Sequence, residues 1–296
     1  MPPITLKQLE ALVAVADLGS FRRAAERLNT TQPNISNRIA QLESQLRVVL
    51  MERDAGSVRL TARGREILAH ARTVLSSMDA LVAAAGDATL FEGVLRLGVS
   101  ELVAHTWLMP FLKEMRTAYP SVDVELTVDL SANLSDALFA RDLDLTFQSG
   151  PFDRRTEGTV PLDASPYSWV AAPSLGIASP LSEADLTANP VLTHARGTHP
   201  FQQLEAHFRA TRIAARLVPS SNIAACLRMS VDGLGIACLP DRMLTPYLED
   251  GRLRRLDYPW VPDDLRFAAR YLSDPAPAYL SGAIKIARCL SQDQKS

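Results

Sequence analysis

The chain has 296 residues, 31 basic against 33 acidic, and 47% of them are apolar, so it can bury the cores of about two domains and is not a disordered, collagenous or disulfide-stapled polymer. Cys226, Cys238 and Cys289 form no C-x-x-C pair, which reads as reduced core thiols and leaves out a zinc knuckle. Met1-Pro2-Pro3 has no basic leader, and the longest uncharged stretch, Ala164 to Ser182, is broken by Pro166, Pro173 and Pro180, so a cytoplasmic protein without a membrane span is expected.

From the amino terminus, Leu6, Leu9, Leu12, Val13 and Ala16 make a helical stripe, with Thr5 and Gln8 spaced as a capping box and Gly19 as the stop. Ser20 caps a second, short helix that buries Ala24, Ala25 and Leu28 and turns Arg22, Arg23, Glu26 and Arg27 outward. Asn29-Thr30-Thr31 is a turn, and Thr31 with Pro33 opens a third helix. Its apolar positions Ile35, Ile39, Leu42 and Leu46 leave Asn34, Asn37 and Gln41 opposite, flanked by Gln32, Arg38 and Gln45. Amides and guanidinium read base edges bidentately, Asn or Gln on adenine and Arg on guanine. The alternative, a merely solvated face, would carry more Glu and Lys. A short helix, a three-residue turn and a helix with a polar first turn is the helix-turn-helix arrangement, so double-stranded DNA is the expected partner. Residues 1–66 hold ten basic residues, nine of them Arg, against seven acidic, which agrees with a polyanionic partner.

Beyond Leu46, the β-prone pieces Val48 to Arg53 and Val58 to Leu60 flank Asp54-Ala55-Gly56-Ser57 as a hairpin wing, with Arg53 and Arg59 on its rims to grip phosphates. Thr61 starts a long helix in which Ile67, Ala71, Val74, Met78, Leu81 and Ala85 step by 4, 3, 4, 3 and 4. That is a heptad seam whose natural partner is the same helix of a second subunit; the alternative is packing on the chain's own second domain. Gly86 and Gly93 bracket the exit.

Residues 5–64 resemble the winged helix-turn-helix of the LysR-type transcriptional regulators. The match is carried by Ser20-Phe21, Ala24-Ala25, Leu28, Gln32-Pro33, Ser36, Ile39, Leu42-Glu43, Leu46, Leu50, Arg53, Leu60-Thr61 and Gly64. Arg47 stands where the family usually has glycine and Met51 where it usually has phenylalanine; the first adds a phosphate contact or strains the turn, the second is a packing swap. The DNA-contacting residues expected are Arg22, Thr31, Gln32, Pro33, Asn34, Asn37, Arg38, Gln41, Arg53 and Arg59.

In the remaining two hundred residues strand and helix alternate. Leu95 to Val99 is a strand ending at Ser100, which caps a helix through Trp107, Leu108, Phe111, Leu112 and Met115, bent at Pro110. Val122 to Leu130 and Leu143 to Phe147 are further strands, with a helix after Ser131-Ala132-Asn133 between them. The alternation restarts with Ser168 to Ala172, Val191 to Thr193, a helix Phe201 to Thr211, the pair Cys226 to Asp232 and Gly235 to Leu239, a strand Phe267 to Leu272 and a helix Tyr279 to Leu290. This predicts a parallel-sheet α/β domain. Gly98-Val99-Ser100, Leu108-Met109-Pro110, Tyr119-Pro120, Leu143-Asp144-Leu145, and Asp232 to Ala237 with Pro240 make it similar to the same family's effector-binding region, which has the periplasmic-binding-protein fold of two α/β lobes around a cleft.

The resemblance implies a winged helix-turn-helix over 1–60, a dimerisation helix over 61–90 and an effector domain over 91–296, with lobe 1 from 91–161 and 266–296 and lobe 2 from 162–265. It implies a homodimer, assembling to a homotetramer, and a small-molecule effector held by Ser100, Glu101, Leu102, His105, Ser131, Gln148, Ser149, Thr193, Arg196 and Thr198. Free N–H groups at Ser100 to Leu102 suit an anion. Arg196 is placed to clamp a carboxylate, unless it is a solvated or Asp-paired surface arginine. Glu101 would repel an acid unless it pairs with His105 or Arg196, so the ligand expected bears both an acidic and a basic or amide group.

Catalysis is the competing reading, as a cytoplasmic small-molecule-binding or hydrolytic enzyme of the two-lobed α/β fold. Gly98-Val99-Ser100-Glu101-Leu102 lacks the second glycine of a nucleophile elbow, and there is no P-loop, G-x-G-x-x-G or H-E-x-x-H. His70, His105, His194, His199 and His207 are dispersed and match no zinc spacing, so no cofactor or metal is expected. A periplasmic solute-binding protein would explain the lobes but not the first 90 residues.

Overall fold

A computed structural model describes residues 4–54, 57–84, 93–156, 158–272 and 278–293. Helix α1 (Leu6–Leu18) opens with Gln8 Oε1 accepting the Thr5 N–H at 2.8 Å and stops where Gly19 turns left-handed at φ 61°. Helix α2 (Phe21–Arg27) is capped by Ser20 Oγ, which accepts from the Arg23 N–H at 3.4 Å. Thr31 precedes α3 (Gln32–Leu46), and Pro33 sits in its first turn, where its missing N–H has no helical partner to lose. Leu12, Val15, Ala24, Ala25, Ile35, Ile39 and Leu42 close a core between the three helices. Each large apolar side chain so buried contributes ~1.5–3 kcal/mol relative to exposure.

The hairpin of β1 (Met51–Asp54) and β2 (Ser57–Leu60) pairs antiparallel with Glu52 opposite Arg59; of the expected turn Asp54 to Ser57, the outer two residues pair as strand ends, and Ala55 and Gly56 lie outside the described residues. Glu43 ties α3 to this wing, accepting the Leu50 N–H at 2.7 Å and the Met51 N–H at 3.3 Å. Arg47 ends α3 in the left-handed region at φ 55°, so the departure from glycine puts a side chain where it costs roughly 1–2 kcal/mol. Met51 is buried in the core, as a packing swap requires.

Helix α4 (Ala62–Ala84) crosses Leu50 so closely that a Cβ on Gly64 would lie 2.0 Å from the Leu50 carbonyl oxygen. The expected seam divides. Ala71 is buried in the core beside α1, with Ile67 partly buried against it, whereas Val74, Met78 and Leu81 are exposed; Ala85 and Gly86 lie outside the described residues.

The rest of the chain builds two five-stranded sheets of matching plan. In the first, β4 (Val122–Val128), β3 (Gly93–Val99) and β5 (Leu145–Ser149) run parallel, followed by antiparallel β12 (Leu265–Tyr271) and the edge strand β6 (Gly158–Ser165). In the second, β9 (Arg216–Ser220), β8 (Pro190–His194) and β10 (Ile236–Pro240) run parallel, followed by antiparallel β7 (Tyr167–Ala171) and β11 (Arg254–Leu256). The sheets are therefore mixed and not all-parallel, because the strands next to the crossovers, β12 and β7, enter their sheets reversed. Strand β6 was not expected, so the first crossover falls at Pro166, after β6, and not near Pro161.

Ser131 itself begins α7 (Ser131–Phe139). The expected helix after Ser100 is two helices, α5 (Glu101–His105) and α6 (Leu108–Ala118). The break lies at Thr106 and Trp107, and Pro110 occupies the first turn of α6, where it bends nothing. Around the second sheet lie α8 (Glu183–Ala188), α9 (His199–Thr211), α10 (Ile223–Val231) and α11 (Asp241–Glu249), and α12 (Ala278–Asp293) returns to the first lobe. Phe111, Phe147 and Trp107 pack with ring centroids 5.1–6.3 Å apart under the first sheet.

The helix-turn-helix leans on lobe 1. Asp17 of α1 binds Arg72 of α4 at 2.5 Å and Arg141 of lobe 1 at 3.4 Å, while Arg27 binds Asp144 and Arg23 binds Asp142. Arg23 and Arg27, expected to face outward, are thus engaged with lobe 1. A cavity of about 220 Å³ lies behind these pairs, lined by Val13, Leu28, Leu75, Leu143 and Leu272.

Candidate functional site

The amide face of α3 stands clear of the core. Thr31, Gln32, Pro33, Asn34, Asn37 and Gln41 are exposed and Arg38 is half-buried, opposite Ile35, Ile39 and Leu42. Asn34 donates to Thr30 Oγ1 at 3.2 Å, and Gln41 Oε1 receives Gln8 Nε2 at 3.5 Å, which orients two of the amides before any ligand arrives. Arg22 is exposed and pairs with Glu26 at 3.4 Å; Arg59 is exposed on the wing. The side chain of Arg53 lies outside the described residues.

Between the lobes runs a cleft of about 660 Å³. Of the residues expected there, Ser100, Glu101, Leu102, Ser131, Ser149, Arg196 and Thr198 line it, while His105, Gln148 and Thr193 do not. Ser131 and Ser149 share a hydroxyl contact of 3.0 Å at the carboxyl ends of the lobe 1 strands. His105 faces solvent with Nε2 3.7 Å from Glu101. Thr193 is fully buried within β8. Gln148 is also fully buried, on the side of β5 that α7 covers, where its Nε2 donates to Ser135 Oγ at 2.9 Å.

Of its two expected partners, Glu101 has His105 at 3.7 Å and forms no ion pair with Arg196. Its carboxylate reaches across the cleft to the start of α10, accepting the N–H of Ile223 at 2.6 Å and of Ala224 at 3.1 Å. This places a full negative charge on the positive end of a helix of the opposite lobe. Arg196 is exposed, its guanidinium 5.3 Å from the Phe201 ring centre. His194, on the cleft wall, bonds Tyr167 Oη through Nε2 at 3.0 Å, and burial pulls its pKa down to about 4, so it is neutral at ordinary pH.

Sequence reasoning missed Asp129, Ser135, Phe152, Arg154 and Ser220, all of which line the cleft. Ser220 opens the turn before α10 and Asp129 follows the end of β4, so turn-flanking polar residues gave a signal for some. None pointed to Arg154, whose guanidinium stacks 3.5 Å over Phe139. Among the described residues no cluster of His, Cys, Asp and Glu could hold a metal ion, and no helix is long and apolar enough to cross a membrane.

Comparison with known proteins places both halves of the chain. Residues 6–65 match the family model "bacterial regulatory helix-turn-helix protein, lysR family", and residues 88–285 match the LysR substrate binding domain. The transcriptional regulator CzcR of Bacillus anthracis is 29% identical over 244 residues, covering 79% of this chain and 80% of its own. Among solved structures, a full-length point variant of OxyR from Pseudomonas aeruginosa superposes with a TM-score of 0.60 at 24% identity, covering 97% of this chain and 94% of that one. Full-length LysG of Corynebacterium glutamicum with bound effector Arg gives a TM-score of 0.58 at 22% identity, covering 96% and 98%.

Proposed function

The chain belongs to the lysR family of bacterial regulatory helix-turn-helix proteins, and from that membership we propose how its residues divide the work. It is a DNA-binding transcriptional regulator with an effector-binding domain, not an enzyme. Gln32, Asn34, Asn37, Arg38 and Gln41 read base edges, Thr31 and Pro33 set the entry of α3 into the major groove, and Arg22, Arg53 and Arg59 hold phosphates. The observation that carries this reading is the exposed amide face of α3, held rigidly by Ile35, Ile39 and Leu42 behind it.

Residues 1–60 act as the reader, 61–90 as the linker helix and 91–296 as the sensor. Val74, Met78 and Leu81, three large apolar side chains exposed along one stripe of α4, support a homodimer through that helix. Two reading helices then enter successive major grooves about 34 Å apart, and effector domains join dimers into a tetramer in the cytoplasm.

The cleft's mixture of acidic Asp129 with basic Arg154 and Arg196 supports a small effector carrying a carboxylate and a basic or amide group. The bound arginine of LysG is a ligand of that kind. Such a ligand acts by binding one relative placement of the reader pairs more tightly than the other.

The test is selection of binding sites from random duplex DNA by the full-length protein, followed by a thermal-shift screen of metabolites. Paired half-sites spaced by whole helical turns, with a metabolite that alters their occupancy, are expected. Recovery of unrelated sequences would overturn the assignment of α3, and consumption of a bound metabolite would contradict a purely regulatory role.

A further inference from the structure

Arg270 lies in β12 of lobe 1 and is 1% exposed. A guanidinium so placed is ordinarily paired with a carboxylate, because taking an isolated charge out of water costs several kcal/mol. Here its neighbours are neutral or of like charge. Nη1 donates to Ser135 Oγ at 2.8 Å, Nη2 donates to the Arg154 carbonyl, and the group sits 4.2 Å from the Phe152 ring centre. Its Nε is buried without a hydrogen-bond partner. Gln148, fully buried on the neighbouring strand, donates to the same Ser135 Oγ, and its Oε1 is likewise buried without a partner. Among the described residues the acid ion-paired with this group is Asp136, which is exposed and 3.7 Å from Arg154; Asp153 lies in the chain between Phe152 and Arg154, on the cleft wall. Burial and the Arg154 charge both pull the Arg270 pKa below its ordinary value, the mark of a cation without its counter-charge.

This cluster lies directly behind the cleft wall, since Ser135, Phe152 and Arg154 line the cleft and touch Arg270 or, for Ser135, both Arg270 and Gln148. We propose that Arg270, with Ser135 and Arg154, forms an oxyanion subsite at the lobe 1 end of the cleft, taking a compact anionic group such as the effector's carboxylate or a free inorganic phosphate. Displacing Ser135 from Nη1 by rotation of its side chain gives an incoming oxygen the Nη1 donor and the hydroxyl. The acid-binding role expected of Arg196 then passes to Arg270, and exposed Arg196 is left to the opposite end of the ligand or to solvent. The subsite deepens the effector reading of the cleft and rests on it for its biological ligand.

The test uses full-length protein at fixed pH and ionic strength, with chloride replaced stepwise by acetate in one series and by inorganic phosphate in another. A saturable rise in melting temperature of about 2 °C at ten times the Kd is expected in the wild type and in Arg196→Ala, and none in Arg270→Met. A response to acetate assigns the subsite to a ligand carboxylate; a response to phosphate alone assigns it to the free ion. Absence of both responses, or a response lost in Arg196→Ala and kept in Arg270→Met, overturns the subsite. If Arg270→Met does not fold, wild-type crystals soaked in selenate decide. An anomalous peak in contact with Arg270 supports the subsite, and peaks only elsewhere overturn it. No effector is needed, so failure here removes the subsite without touching the cleft reading, which the metabolite screen tests separately.

Discussion

Glu101, in the first turn of α5, accepts the backbone N–H of Ile223 at 2.6 Å across 122 positions of sequence and from one lobe to the other. The same carboxylate takes the Ala224 N–H at 3.1 Å. Two of the free donors at the start of α10 are thereby satisfied by a charged acceptor, the stronger kind of hydrogen bond. The clasp joins the two lobes across the cleft, whose wall both Glu101 and Ile223 line.

Glu101→Ala is expected to destabilise the protein by about 1–3 kcal/mol, the range for removing a charged acceptor from part-buried donors, and Glu101→Gln by less, since one acceptor oxygen remains. Urea unfolding of the full-length protein measures both. Equal midpoints for wild type and Glu101→Ala would mean that the clasp contributes nothing to holding the lobes.

On the reading helix, Arg38→Ala or Gln32→Ala is expected to weaken a specific site by ~1–3 kcal/mol and to relax base preference at the contacted position. Arg59→Ala on the wing should instead weaken all sequences alike and flatten the salt dependence, because a phosphate contact releases counterions whatever the sequence. Fluorescence anisotropy with the selected site and a scrambled duplex, at several salt concentrations, separates the two. Uniform loss for Arg38→Ala would move base reading to another residue.

The difference between these two sites also explains what sequence could reveal. The α3 face was legible because a helix repeats every 3.6 residues, so burying Ile35, Ile39 and Leu42 forces Asn34, Asn37 and Gln41 to the outside. Strand ends gave less. Gln148 and Ser149 are neighbours on opposite faces of β5, and only the register decides that Ser149 meets the cleft while Gln148 is buried under α7. Strand β6 was hidden because Gly158–Ser165 contains Pro161 and Asp163, which read as loop residues although Val160, Leu162 and Ala164 alternate around them. Arg270 was invisible, since a charged residue in a strand is normally read as solvent-facing. The partner of Glu101 could not be found at all without the fold, because the contact is between the ends of two helices in different lobes.

His194 gives a pH dependence. Its pKa in the folded protein is about 4 because burial disfavours the imidazolium, against an ordinary value near 6.5. As pH falls below 6.5 the unfolded chain takes up a proton that the folded one refuses, so the contribution is fully present above pH 6.5 and is lost between 6.5 and about 4. The shift corresponds to roughly 3 kcal/mol at most. Comparing wild type with His194→Gln cancels the titration of carboxylates elsewhere. Their difference in unfolding free energy should shrink steadily across that window, and a difference independent of pH would show that the ring protonates freely in the fold.

Arg27 and Asp144 form a partly buried ion pair between the reader and lobe 1, with side chains 29% and 13% exposed. Asp144 is held for the purpose, since its other oxygen accepts the Arg96 N–H at 2.9 Å. Arg23 with Asp142, and Asp17 with Arg141, flank the pair on the same face. A partly buried pair whose acid is already fixed loses less side-chain entropy than an exposed one, so its coupling should sit at the upper end of the surface range, about 1 kcal/mol. A double-mutant cycle of Arg27→Ala and Asp144→Ala, read by urea unfolding, measures it. The same variants address communication, because α2 packs directly on α3. If the contact holds the reader in one orientation, Asp144→Ala should change the affinity for paired half-sites while leaving that for a single half-site unaltered. Loss of affinity for both would instead indicate damage to the fold of the reader, and no change in either would mean that the pair closes the surface without restraining the orientation of α3.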